Sequence, residues 1–311
     1  MSTPKAVYSL EDLEALAQSP LDPPVKLAVI GHPVAHSRSP DMHNAALRAA
    51  GIDSQYIRVD LTEDQLPQAL QTFAALGFTG VNVTIPHKGA VIPLLDQVDP
   101  LAARIGSVNT IVFDHEQGTK AGFNSDAPGF RQAIRDEFAV DVQDLRVLLL
   151  GAGGGAGRAA AIQCANDHCD RLVLVNRTLE KAQALVKELQ PDFGPRRLAG
   201  PLARLEAIPW DPDLLTRALD HIDLIVNCTN IGMKAADSAL LTASQLQPHH
   251  LVYDMIYAPP RTRLIEAAEA AGARAANGLS MLICQGAISF EYWFNRRPSI
   301  DAMKRGLRGG E

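Results

Sequence analysis

The chain has 311 residues, with 29 basic and 35 acidic side chains, a net charge of −6 and only 5% aromatic residues. This length predicts about two domains, and the acidic balance with few aromatics argues against a nucleic-acid-binding protein. With 47% hydrophobic residues but no long uninterrupted apolar run, the sequence predicts a globular protein that neither spans a membrane nor is disordered.

The cysteines and the N-terminus indicate the compartment. None of the four cysteines belongs to a CxxC pair, so no metal site is predicted and the thiols are expected to be buried and inert. The first 20 residues carry no apolar core of a secretory signal. We therefore expect a cytoplasmic protein.

Residues 1–24 form an N-terminal extension in the prediction. Ser9 and Asp12 are typical of a helix start, and the leucines that follow share one face before three prolines end the pattern. The extension either packs on the body of the protein or forms a loose arm.

Strands and helices alternate from Val25 onward, which predicts two α/β domains with parallel sheets and a cleft between them. The predicted strands are 26–30, 56–59, 81–85, 146–150, 171–175, 224–227 and 251–255. The predicted helices are 40–50, 66–76, 128–138, 156–166 and 281–294, the last returning to the first domain.

A glycine-rich turn joins the strand 146–150 to the next helix, as in dinucleotide-binding folds. Glycines permit close approach to a pyrophosphate, and the helix N-terminus adds partial positive charge. The alternative is a turn selected only for close packing. The predicted cofactor-binding residues here are Gly151, Ala152, Gly153, Gly154, Gly155 and Ala156, where Ala156 takes the last motif position and Gly157 follows one residue later.

The next strand ends without the carboxylate that usually holds the ribose of NAD. It is followed instead by Asn176, Arg177, Thr178 and Lys181, a set suited to a 2′-phosphate. The sequence therefore predicts NADP, although Thr178 as a helix cap beside a solvated Arg177 would also explain the pattern.

Polar residues also follow strands of the first domain. Ser37 and Ser39 precede a helix and suit a carboxylate, or Ser39 is simply an N-cap. Asn82 and Thr84 share one face of the strand 81–85 and Lys88 follows it, in the position where α/β sheets bind ligands, unless this is a solvated edge.

Asp126 follows a polar turn and is either a helix cap or a carboxylate close to Lys88. Such a pair can pass a proton to a carbonyl oxygen as hydride reaches its carbon.

Together these segments resemble the shikimate dehydrogenase family along nearly the whole chain after the extension. The matching blocks, in order, are GHPVAHSRSPDMHN, GVNVTIPHK, GSVNT, GFNSD, the glycine turn, VNRT, VNCTNIGM, YDMIYAPPRTRLI and NGLSMLICQGAISFEYW. The resemblance implies reversible reduction of 3-dehydroshikimate to shikimate with NADPH, in aromatic amino-acid biosynthesis.

The resemblance also implies residue roles. Lys88 and Asp126 would be the catalytic pair. Ser37 and Ser39, with Tyr257 nearby, would hold the substrate carboxylate. The ring hydroxyls would be held by Asn82, Thr84, Asn109 and Gln285. The nicotinamide half of the cleft would be lined by Thr229, Met255, Gly278 and Met281.

The implied domains are 25–126 with 279–311 for substrate and 127–278 for NADP. The glycine turn is one residue longer than the common family spacing, and NSD replaces NTD. Relatives acting on quinate often have Thr for the second serine and an acid in the NADP clamp, and this chain has neither. A quinate or aminoshikimate enzyme and a non-catalytic nucleotide sensor remain alternatives, and a monomer or homodimer without nucleic-acid or membrane partners is expected.

Overall fold

The structure, a computed structural model, describes residues 5–194 and 202–309. It divides into unit 1, Met1–Ser125 with Gln285–Glu311, and unit 2, Asp126–Cys284. Residues 1–4 of the predicted extension and residues 310 and 311 of the predicted substrate domain lie outside the described residues.

Unit 1 begins with a helix and continues as strand–helix repeats around a six-stranded sheet. Its elements before the division are α1 (Leu10–Ala15), β1 (Val25–Gly31), α2 (Ser39–Ala49), β2 (Gln55–Asp60), α3 (Leu66–Ala75), β3 (Gly80–Val83), β4 (Gln97–Val98), α4 (Pro100–Ile105), β5 (Thr110–Asp114) and β6 (Thr119–Phe123).

The sheet of unit 1 has the order β2-β1-β3-β5-β6-β4 and corrects the prediction of purely parallel sheets. Strands β2, β1 and β3 are parallel, whereas β5 runs antiparallel to both β3 and β6. The reason is the short turn between β5 and β6, since parallel neighbours need a crossover of a dozen or more residues.

Strand β3 is shorter than the predicted 81–85. It ends at Val83, because the chain then turns and the His87 N–H donates to the Thr84 carbonyl at 2.9 Å. Ile85, expected on the apolar face, is 74% exposed. Asn82 therefore lies within the strand and Thr84 just beyond it.

The N-terminal segment packs on unit 1, so of the two expectations the loose arm is wrong. Ser9 and Asp12 form the predicted capping box. Tyr8 pairs with the outer edge of β2, and Leu10 and Leu13 are buried in the apolar cluster beneath it.

Unit 2 contains a second six-stranded sheet. Its elements are α5 (Asp126–Phe138), β7 (Arg146–Leu150), α6 (Gly155–Asn166), β8 (Arg171–Val175), α7 (Leu179–Leu189), β9 (Leu205–Ile208), α8 (Pro212–Leu219), β10 (Leu224–Asn227), β11 (Leu251–Asp254), α9 (Arg263–Ala270) and β12 (Arg274–Asn277).

The order of this second sheet is β12-β11-β10-β7-β8-β9, and all its pairs are parallel. Counted from β7, the order is 3-2-1-4-5-6, the doubly wound arrangement of dinucleotide-binding domains. Strands β7, β8, β10 and β11 are almost entirely buried, which explains why their apolar runs were predicted within a residue of their bounds.

Two helices complete the fold, α10 (Leu279–Phe294) and α11 (Ile300–Arg308). The division between the units falls within α10, and its second half packs on the sheet of unit 1, where the Trp293 indole N–H donates to the Ile111 carbonyl at 3.0 Å. None of the helices within the described ranges is long and apolar enough to cross a membrane.

The packing of α1 gives a stability prediction. Leu13 is fully buried, whereas Leu16 at the end of the same helix is partly exposed. Leu13→Ala should lower the free energy of unfolding by about 2–5 kcal/mol and Leu16→Ala by clearly less, as measured by urea denaturation. Equal, negligible losses would show that α1 does not pack on unit 1 in solution.

Candidate active site

The carboxyl ends of β1 and β3 lie side by side in unit 1. The Thr84 N–H donates to the Ile30 carbonyl at 2.9 Å, and the His32 N–H donates to the Ile85 carbonyl at 3.1 Å. A side chain at Gly31 would place its Cβ 2.5 Å from the Thr84 methyl group. Because the sheet order reverses between β1 and β3, their connections leave in opposite directions and open a crevice where α/β sheets bind ligands.

The segment after β1 brings Ser37 and Ser39 to this place. Ser39 is the first residue of α2, Arg38 is the N-cap, and no side chain caps the helix. The alternative that Ser39 serves as the N-cap is therefore wrong. Its N–H lies 3.4 Å from the Ser37 hydroxyl, so the Ser37 side chain lies at the first turn of α2, whose uncapped N–H groups suit an anion.

Asn82 is buried in β3 and is the centre of a hydrogen-bond network. Its Oδ1 accepts from the Tyr56 hydroxyl at 2.7 Å, and its Nδ2 donates to the Asn109 carbonyl and the Ser289 hydroxyl, both at 3.0 Å. Thr110 Oγ1 lies 3.2 Å from the same nitrogen. These partners fix which edge of the amide accepts and which donates.

Tyr56 remains a hydrogen-bond donor because burial raises the pKa of its phenol well above the usual value. His43 stacks on the Tyr56 ring with the centroids 4.6 Å apart, and burial lowers the pKa of His43 to about 3. A neutral imidazole therefore stacks on one face of the Tyr56 ring. The Tyr56 hydroxyl stays protonated and orients the Asn82 amide by donating to its Oδ1.

Asn109 and Ser125 bond each other reciprocally beside Asn82. The Ser125 N–H donates to Asn109 Oδ1 at 2.8 Å, and Asn109 Nδ2 donates to Ser125 Oγ at 2.9 Å. Ser125 Oγ also lies 3.4 Å from Gln285 Oε1 and 3.1 Å from Ser289 Oγ. Three of the predicted substrate residues, Asn82, Asn109 and Gln285, thus belong to one connected cluster within unit 1.

The predicted catalytic pair occupies the ends of two elements. Lys88 is partly buried in the turn after β3, and its carbonyl accepts from the Val108 N–H at 2.8 Å. Asp126 is 9% exposed and is the first residue of α5.

In unit 2 the glycine turn leaves the N-terminus of α6 open. Gly151, Gly153 and Gly155 have positive φ angles, and a Cβ on Gly154 or Gly155 would meet no atom within 4 Å. No side chain caps α6, so its first N–H groups are available to an anion. These features fit the pyrophosphate of a dinucleotide.

The structure corrects the assignment of the last position of the glycine motif, which was predicted to be Ala156. A Cβ on Gly157 would lie 2.6 Å from the Gly151 carbonyl oxygen. Gly157, and not Ala156, therefore provides the close contact between helix and strand that the last glycine of the motif provides elsewhere. The extra residue lengthens the open part of the turn.

The residues after β8 lie next to this turn. The Asn176 amide donates to the Ala152 carbonyl, and a Cβ on Gly153 would lie 3.2 Å from that of Lys181. Thr178 is the N-cap of α7 but makes no capping bond with its side chain. Among the described residues, neither Arg177 nor Lys181 forms an ion pair, so both cations and the hydroxyl fit a 2′-phosphate.

The carboxyl ends of β10, β11 and β12 gather the other predicted cofactor residues. The Met255 N–H donates to the Asn227 carbonyl at 3.0 Å, and a Cβ on Gly278 would lie 2.0 Å from the Met255 carbonyl oxygen. The Thr229 hydroxyl donates to Asn227 Oδ1 at 2.7 Å and accepts from the Ile231 N–H. The Thr229 side chain therefore stabilises the conformation of the loop 227–231.

A buried carboxyl supports these loops. Asp254 accepts from Asn227 Nδ2 at 2.9 Å, the Thr262 hydroxyl at 2.6 Å and the Ile256 N–H at 3.0 Å. Burial raises the pKa of Asp254, and the three hydrogen bonds oppose that rise.

Two predicted residues remain: Met281, predicted to line the nicotinamide half, and Tyr257, predicted to lie near the substrate carboxylate. Met281 is buried in α10 and its N–H donates to the Tyr253 hydroxyl at 3.1 Å. Tyr257 is partly buried in the segment after β11.

Family models match three stretches of the chain. The shikimate dehydrogenase substrate-binding domain matches residues 29–111, the shikimate/quinate 5-dehydrogenase domain residues 133–246, and the shikimate 5′-dehydrogenase C-terminal domain residues 278–308. The NADP(+)-dependent shikimate dehydrogenase of Methanopyrus kandleri is 40% identical, over 90% of this chain and 94% of its own. The chain belongs to the shikimate dehydrogenase family.

Solved structures of the family agree in fold. The shikimate 5-dehydrogenase of Thermus thermophilus in complex with NADP(H) and shikimate superposes with a TM-score of 0.79 at 35% identity, covering 92% of this chain and all of that one. The quinate dehydrogenase of Corynebacterium glutamicum in complex with NAD gives 0.81 at 29% identity, over 92% and 99%. The predicted family and the two α/β domains, one of them Rossmann-like, are confirmed.

Sequence reasoning did not assign Tyr56, Thr110 or Ser289 to the site of this family member. Ser289 lies four residues after Gln285, hence on the same face of α10. A buried tyrosine hydroxyl needs a partner, so the burial expected for β2 would have pointed to Tyr56. Which polar groups meet, however, depends on contacts distant in the sequence.

The network makes a prediction for Tyr56→Phe. The substitution leaves Asn82 Oδ1 buried without its donor, which should lower the free energy of unfolding by about 1–3 kcal/mol. Tyr292 is a suitable control, since it is 38% exposed and its hydroxyl makes no hydrogen bond among the described residues. Indistinguishable urea-unfolding curves for the two phenylalanine variants would contradict the network.

Proposed function

We propose that the chain catalyses the reversible NADPH-dependent reduction of 3-dehydroshikimate to shikimate. The observation that carries the proposal is the place in unit 1 where the carboxyl ends of β1 and β3 adjoin. Thr84 lies just beyond β3 there, and the segment after β1 brings Ser37 to the first residue of α2, Ser39. A hydroxylated cyclic acid needs such a combination of anion donors and neutral hydrogen-bonding groups.

In this proposal unit 1 is the substrate domain and unit 2 the NADP domain. Ser37 and Ser39 hold the substrate carboxylate together with Tyr257. The ring hydroxyls bond to Asn82, Thr84, Asn109 and Gln285. Asn82 Oδ1 can accept a further hydrogen bond from a substrate hydroxyl, because Tyr56 occupies only one of its two lone pairs. The other hydrogen bonds of the amide fix the direction in which this oxygen points.

The reduction requires a hydride at the carbonyl carbon and a proton at its oxygen. NADPH supplies the hydride when bound. Lys88 donates the proton to the oxygen in reduction and accepts it in oxidation, with the Asp126 carboxylate stabilising the charged ammonium and exchanging protons with it. By transferring a proton to the developing alkoxide, this pair lowers the activation barrier of the reduction.

The cofactor clamp of unit 2 consists of the open turn and the cations beside it. The N–H groups of Gly153, Gly154 and Gly155 bind the pyrophosphate, and Arg177, Thr178 and Lys181 bind the 2′-phosphate, as a guanidinium fork and a hydroxyl suit that group. The loops around Thr229 and Met255 line the nicotinamide half.

Quinate is the second candidate substrate, since the quinate dehydrogenase of C. glutamicum shares the fold. Ser39 and the absence of an acid from residues 176–179, directly after β8, favour shikimate with NADP, because an acid there would repel the 2′-phosphate. Glu180 is the next acidic residue in the sequence and is the second residue of α7.

Removing the proposed proton donor tests the mechanism. Lys88→Ala should lower kcat for shikimate oxidation by about 10²–10⁴-fold, while the Kd for NADP+ measured by calorimetry stays unchanged. Lys120→Ala is the control, because that lysine pairs with Asp96 on another edge of the sheet. Turnover of Lys88→Ala close to that of the control would reject the role.

Cofactor selection gives a second test. The unaltered enzyme should have a higher kcat/KM with NADP+ than with NAD+, and Arg177→Ala should weaken NADP+ binding by about tenfold or more while NAD+ binding changes little. Arg131→Ala, at an arginine paired with Asp167, should change neither. A preference of the unaltered enzyme for NAD+ would contradict the assigned clamp.

A further inference from the structure

The turn that carries Ser37 is fastened to the edge strand β2 at both of its ends. The turn closes on itself, with the Ser37 N–H donating to the Val34 carbonyl at 3.0 Å. At its first residue, the Val34 N–H donates to Asp60 Oδ2 at 3.1 Å, and at its last residue the Ser37 carbonyl accepts from Arg58 Nε at 2.7 Å. Two side chains of one strand thus set the position of this turn.

The two fastening residues are themselves well fixed. Asp60 Oδ1 lies 2.6 Å from His32 Nδ1, and hydrogen bonds from His32 and the Val34 N–H lower the pKa of Asp60 despite the opposing effect of its partial burial. The Arg58 side chain is only 20% exposed. Both point from the end of β2 toward the loop after β1.

The N-terminal segment holds the backbone of both residues. The Tyr8 N–H donates to the Arg58 carbonyl at 2.9 Å, and the Asp60 N–H donates to the Tyr8 carbonyl at 2.9 Å. Tyr8 therefore spans the interval between them on the outer edge of β2. A strand edge that would otherwise be free to shift is paired at the place where it supports the turn.

We propose that Arg58 and Asp60 are positioning residues for the substrate carboxylate, acting through the turn Val34–Ser37. This inference rests on the proposed function, in which Ser37 binds that carboxylate. An anion-binding group must be held within a fraction of an ångström to retain its full hydrogen-bond energy. Loss of either fastening residue lets the Ser37 hydroxyl move while the catalytic and cofactor residues stay in place.

The test compares Asp60→Ala and Arg58→Met with the unaltered enzyme in shikimate oxidation. Each variant should raise the KM for shikimate by about tenfold, with kcat and the KM for NADP+ within about twofold. Asp60→Asn retains an oxygen that can accept from the Val34 N–H, so its KM should return to within about threefold of the unaltered value.

Asp96→Ala is the matched control, because Asp96 also accepts from a backbone N–H, that of Lys120, and pairs with a cationic side chain. It should lower stability without changing the KM for shikimate. If Asp60→Ala and Arg58→Met only lower the Tm and leave this KM unchanged, as Asp96→Ala does, the positioning role is refuted.

Ser37→Ala separates this inference from the proposed function. A raised KM for shikimate in Ser37→Ala, with no change in Asp60→Ala and Arg58→Met, would refute the positioning role alone. An unchanged KM in Ser37→Ala would refute the carboxylate site itself, and with it the positioning role.

Discussion

The burial of the Asn82 amide is the constraint on which unit 1 depends. An amide removed from water costs free energy unless its hydrogen bonds are replaced, and the replacements here come from β2, the segment before β5, and α10. The amide therefore joins elements that are far apart in the sequence. In the proposed function the same constraint gives the substrate a rigid partner, since a side chain bonded on both edges cannot rotate away.

In unit 2 the buried polar group that joins several segments is a carboxyl. Asp254 collects one donor from β10, one from its own segment and one from the cap of α9, and so holds the loops that carry Thr229 and Met255. In both units the polar group lies at or near the carboxyl end of a strand, where backbone and side-chain groups of neighbouring strands converge. In the proposed function, these strand ends hold the loops whose residues contact substrate and cofactor.

Strands such as β7 and β8 were predicted from the sequence because each is a continuous apolar run. The sequence did not predict the hairpin of β5 and β6, whose antiparallel pairing depends on a short turn and on contact with β3. The glycine turn was placed correctly, but the packing position belongs to Gly157, since one extra residue in the turn has no signature in the pattern. Likewise Tyr56 and Arg58 act through partners more than 20 residues away, which local periodicity does not reveal.

The account is tested most directly by the initial rates of NADP+ reduction by the purified, unaltered protein with shikimate and with quinate. It predicts a kcat/KM for shikimate well above that for quinate, because in the proposed function Ser39 and Asn82 hold the carboxylate and a ring hydroxyl of shikimate. Equal or higher kcat/KM for quinate, or no reduction of NADP+ with either acid, would contradict it.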